Sequence, residues 1–121
     1  MQEIEAARRL RFQPGTMLVF DRAYIDYAWF EHLTRQSVFF VTRLRSDAHY
    51  RVEVERSVPQ RGPIPCDQVI RSGSHWYRQQ HLLRRLEVAL PDGEPPLVLL
   101  TNHLGLGPTT VARLHRERWQ I

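Results

Sequence analysis

The chain has 121 residues, the size of one domain or of a piece of a larger one. Its 42% hydrophobic content supports a packed core, its 25% charge is ordinary for a soluble protein, and no apolar run approaches the ~20 residues of a membrane helix. The net charge of +4 rests on 17 basic residues, all of them arginine. Arginine's planar fork suits phosphate, but a GC-rich coding sequence produces the same bias. The arginines are also spread along the chain, so charge alone gives weak support for a nucleic-acid partner.

The N-terminus, MQEIEAARRLRF, carries two acids and no apolar core, so it is not a signal peptide, and a cytoplasmic protein is expected. Residues 2–11 read as a short helix with Ile4, Ala7 and Leu10/Arg11 near one face. QPG at 13–15 is a turn. TMLVF at 16–20 is continuously apolar, as in a strand covered on both sides. Asp26 fits the N-cap of a helix to about Gln36, with Ile25, Ala28, Trp29, His32 and Leu33 facing inward. SVFFVTRL at 37–44 is a second apolar strand, and strand–helix–strand predicts a βαβ unit with parallel strands.

The pattern then changes. YRVEVER at 50–56, and LRRLEVAL at 83–90 in part, alternate with period two, as half-exposed antiparallel strands do. Residues 57–65 and 72–81 read as loops, PDGEPP at 91–96 as a turn, and LVLLT at 97–101 as another apolar strand. NHLGLGP is a loop, and Thr109 or Thr110 is expected to cap a final helix, TTVARLHRERWQI. The fold class is α/β, with an antiparallel β excursion from about 45 to 96. The last helix meets no stop signal and the sheet is thin, so a fragment of a longer protein is expected.

Asp21 follows the first apolar strand directly. In open α/β sheets ligands bind beyond the carboxyl ends of the strands. A carboxylate there can hold a metal ion, cap the next helix, or pair with an arginine. The lone Cys66 is expected to be a free thiol, and none of the six histidines has zinc spacing with it. Trp29 and Trp119 are expected in the core, and Glu117 on a solvated helix face.

VFDRAYIDYAWFEHLTRQSVFFVTRLR, residues 19–45, resembles the segment around the second catalytic aspartate of bacterial insertion-sequence transposases. These are the DDE transposases of RNase H-like fold. The branch carries a large β-strand insertion and a C-terminal signature of Tyr, two residues, Arg, three residues, Glu, six residues, Lys. Asp21-Arg22-Ala23-Tyr24 matches its Asp-x-[Gly/Ala]-[Tyr/Phe] pattern, and CDQVIR, LRRLEV, LVLLTNHLGL and VARLHRERWQI resemble later blocks in order. The resemblance implies a partial RNase H-like fold, with 1–44 and 97–121 as core parts and about 45–96 as the insertion. It places His115 at the signature tyrosine and Arg118 at the signature arginine. The glutamate would follow Ile121, and the first aspartate would lie upstream.

The activity so implied is metal-dependent DNA strand cleavage and transfer at transposon ends. Mg²⁺ or Mn²⁺ would be held by three converging acids, of which this chain supplies Asp21. Arg118 and His115 would contact phosphate, and Trp76 and Arg78, in the loop with His75, Tyr77 and His81, would touch DNA if they do not simply pack over the small sheet. On this basis the chain alone is expected to bind no metal and to be inactive. The intact protein is expected to act on DNA, not at a membrane, with self-association possible in principle. The alternative is a non-catalytic arginine-rich DNA-binding module or a transposase relic.

Overall fold

The computed structural model describes residues 10–20, 26–73 and 81–120, the last three by their backbone alone. Strands β1 (Met17–Val19), β2 (Phe39–Arg43), β3 (Tyr50–Glu55), β4 (Cys66–Ser72), β5 (Leu83–Val88) and β6 (Leu97–Thr101) form one sheet in the order β1-β2-β6-β5-β4-β3. Among the described strands only β1 and β2 pair in parallel, with Val19 opposite Val41; the other neighbours are antiparallel. Helix α1 (Tyr27–Arg35) joins the parallel pair, and helix α2 (Pro108–Gln120) follows β6. The expected βαβ unit is therefore present. The antiparallel strands are not a separate layer but extend the same sheet through β6. The predicted helix over 2–11 falls almost wholly outside the described residues.

The sheet has two packed faces. Phe40, Ile70, Leu83 and Leu100 lie on one, under Trp29, Phe30 and Leu33 of α1. Val41, Leu86 and Leu99 lie on the other, under Val111 of α2 and Ile64. The short β1 contributes to both, Leu18 to the first and Met17 to the second. Before β1 the chain reverses at Gly15, whose φ of +89° a side chain would resist, and its N–H donates to Ser37 O at 2.7 Å.

Helix α1 starts where the sequence predicts. Asp26 is its N-cap, and Oδ1 accepts from the Trp29 N–H at 3.0 Å. The buried stripe is Trp29, Phe30, Glu31 and Leu33, while Ala28 and His32 are exposed. The helix is rotated from the predicted face because turning Phe30 inward buries far more apolar surface than Ala28 would. Asp26→Ala should destabilise the chain by about 1 kcal/mol through the lost cap. A urea titration followed by circular dichroism reads this as a lower midpoint with unchanged slope.

Three further expectations are corrected. β3 is exposed along its whole length, not half-exposed, and it is the outer strand of the sheet, where no described helix packs. The stretch Cys66–Ser72, not read as a strand, is β4 and is largely buried. Helix α2 begins at Pro108, ahead of both threonines, since proline's fixed φ and missing N–H suit a first helical position.

Candidate functional site

Because β1 and β2 are parallel, their carboxyl ends share one rim. Phe20 N–H donates to Val41 O at 2.9 Å, which carries the ladder to the residue before Asp21. Asp21 itself, with residues 22–25, lies outside the described residues. The N-cap position of α1 is filled by Asp26, so that structural duty belongs to another acid. On the neighbouring strand, β2 ends at Arg43.

Helix α2 packs against β1 and β2. Ala112, Arg113, His115 and Arg116 of this helix form one wall of a cleft of about 430 Å³. Arg43 lines it from the rim, and Val88, Leu90 and Leu97 give it an apolar floor. His115 is buried, 3% exposed. The Arg118 side chain lies outside the described residues. Glu117 is exposed and sits 3.8 Å from Arg113 one helical turn away, a surface pair worth little.

Trp76 and Arg78 also lie outside the described residues, but both ends of their connection are fixed to α1. Ser72 Oγ donates to the Tyr27 hydroxyl at 2.9 Å, where β4 ends. The His81 N–H donates to Glu31 Oε1 at 3.2 Å, and its Nδ1 lies 3.2 Å from Glu31 Oε2. Glu31 is buried, and Arg35 one turn along the helix lies 3.4 Å from it. Tyr27 and Glu31 both sit on α1.

On the α2 face the loop 102–107 is held by side chains from four directions. Asn102 accepts from Phe40 N–H at 2.9 Å and donates to Thr34 Oγ1 and Val38 O at 2.9 Å each. His103 Nδ1 accepts from the N–H groups of Gly105 and Leu106, both at 3.1 Å, so that nitrogen carries no proton, and the ring lies 4.4 Å from Phe39. Arg56 Nη1 donates to Leu104 O at 2.7 Å. Arg84 Nη1 donates to Leu106 O and, at 3.4 Å, to His103 O. The remaining guanidinium edge forks onto Asp67, Nε to Oδ1 at 2.9 Å and Nη2 to Oδ2 at 2.8 Å. Arg84 and Asp67 are 1% and 2% exposed. The predicted loop therefore exists, and its two glycines serve it, Gly107 O accepting the Val111 N–H that opens α2.

Among the described residues no three carboxylate, histidine or cysteine groups converge in a way that could hold a metal ion. No helix among them is long and apolar enough to cross a membrane. Cys66 is half-buried, and burial, with Glu87 close by, pushes its thiol above the ordinary range, which makes it a poor nucleophile.

The rim beside β1, the helix laid across β1 and β2, and the ordered blocks of the sequence agree with one family. Residues 2–121 match the transposase DDE domain. The chain belongs to that family. Its mixed α/β sheet with helices on both faces agrees with a partial RNase H-like fold. A protein of Sinorhizobium fredii (strain NBRC 101917 / NGR234), described as "Putative transposase y4zB", is 28% identical over 126 residues. The match takes in all of this chain and 35% of the relative, so the chain spans about a third of that protein's length. No solved structure matches it.

Proposed function

We propose that the chain supplies the second-aspartate part of a DDE transposase catalytic domain, acting in DNA strand cleavage and transfer at insertion-sequence ends. The parallel β1–β2 pair supports this most directly. It sets a rim at which β1 runs out toward Asp21, and α2, with Arg118 in its last turn, lies across the same two strands. Segments 1–44 and 97–121 would be core parts and 45–96 the β insertion.

In this reading Asp21 offers a hard oxygen ligand to a divalent ion, Mg²⁺ or Mn²⁺. Such ions stabilise charge on both the entering and leaving oxygens of a phosphodiester. Arg118 would hold phosphate through its fork. His115, buried in the cleft wall, would support the helix more than it contacts DNA. Trp76 and Arg78 would approach DNA from the connection anchored on α1. The partner is DNA, and the intact protein may be tested for self-association on it.

The purified 121-residue chain should therefore show no cleavage of a transposon-end duplex with either ion. A cleavage assay on wild type and Asp21→Asn reads this. Metal-dependent turnover lost in the variant would overturn the claim that one acid is insufficient. An arginine-rich binding module would instead retain duplex binding while the intact protein proved indifferent to Asp21.

A further inference from the structure

We infer that Arg84 is a positioning residue for the transposase chemistry: it fixes the angle at which α2 leaves the sheet. This rests on reading α2 as the helix that carries Arg118. Arg84 is on β5, near the middle of the sheet, and its guanidinium serves two clients at once. One edge is spent on Asp67 of β4, and Nη1 holds the carbonyls of His103 and Leu106 in the loop that turns into α2.

Stability alone does not account for this arrangement. A buried arginine–carboxylate pair loses so much hydration that apolar residues of similar volume often replace it without loss, or with a gain. What apolar residues cannot supply is direction. The Asp67 fork locks the guanidinium plane, and the locked plane aims Nη1 at two carbonyls only a few residues before Val111. Gly105 and Gly107 give the loop backbone freedom that some other group must remove. The His103 ring and Arg56 fix its middle, but Arg84 ties the Leu106 carbonyl, two residues before the helix begins at Pro108, to the centre of the sheet. A lysine could keep the charge opposite Asp67, but a single ammonium on a flexible stem cannot span both clients.

The test compares the parent chain with Arg84→Lys and with the apolar double variant Arg84→Met/Asp67→Leu. Amide hydrogen exchange is measured along α2 and along β6, with thermal melts in parallel. The double variant is expected to melt within about 5 °C of the parent. Its amides from Val111 to Arg116 should exchange at least about tenfold faster while those of Leu99 and Leu100 hold. Arg84→Lys should show the same selective loss, so the outcome stands even where the double variant does not fold. Unchanged α2 exchange in the folded variants, or equal loosening of β6 and α2, would overturn the inference. Exchange is read without DNA, so a failure of the parent to bind DNA would count against the proposed function and leave this result intact.

Discussion

Phe30→Ala is expected to cost about 3–5 kcal/mol, the range for truncating a buried aromatic and leaving a cavity. Phe30 has no exposed surface and stacks on Phe40 with ring centroids 4.1 Å apart and planes 17° from parallel. It also meets Trp29 and Tyr27 edge-on or tilted, so its ring is the centre of the packing that fixes α1 over the sheet. Small domains have only about 5–15 kcal/mol of net stability, so this loss should leave the variant close to unfolded at 37 °C. Urea denaturation followed by tryptophan fluorescence measures it. A loss below about 1 kcal/mol would mean that α1 does not bury this face, because only a collapsible or solvated site is so tolerant.

Asp21→Asn is expected to lower strand cleavage by the intact transposase by about a hundredfold or more. Loss of groups that merely orient a metal ligand costs 10–100-fold, and Asp21 is proposed as the ligand itself. The amide keeps the size and removes the charge, and the residue is not the cap of α1, so folding should be unaffected. Binding to a transposon-end duplex in the absence of metal should hold or tighten slightly, since a negative charge facing phosphate is gone. Parallel cleavage and binding assays separate the two effects. Cleavage within a few-fold of wild type would remove Asp21 from the ligand set.

The elements legible in the sequence are those whose pattern is local. The runs at 16–20, 37–44 and 97–101 are apolar enough to read as covered strands, and each appears as β1, β2 and β6. Asp26 announces its helix through a cap, a short-range interaction. What stayed hidden depends on distant partners. In LRRLEV, alternation puts one arginine on each face but does not say that Arg84 is fully buried while Arg85 is only partly so. That is decided by Asp67, on another strand 17 residues away. The same acid hides β4, because an aspartate in a strand reads as exposed until its partner is known. β3 alternates as a half-buried strand would, yet it lies at the sheet's edge and is exposed along its length, which a local pattern does not show. The role of Asn102 left no local signal, since its partners come from α1 and β2.

Around the proposed site, the sequence showed the order of the family blocks, and the structure adds the elements on either side of it. Arg84 ties the loop before α2 to the sheet, and Ser72 and His81 are held by α1.

The most direct test of the account is to map where a divalent ion sits in the intact transposase bound to a transposon end. With Fe²⁺ in place of Mg²⁺, ascorbate and peroxide generate radicals that cut the polypeptide next to the ion. Cuts are predicted around residues 20–22 and at the far end of α2 near Arg118, and both should vanish in Asp21→Asn. Cuts confined to other parts of the chain, or unchanged by that substitution, would contradict the placement of the catalytic rim at the carboxyl end of β1.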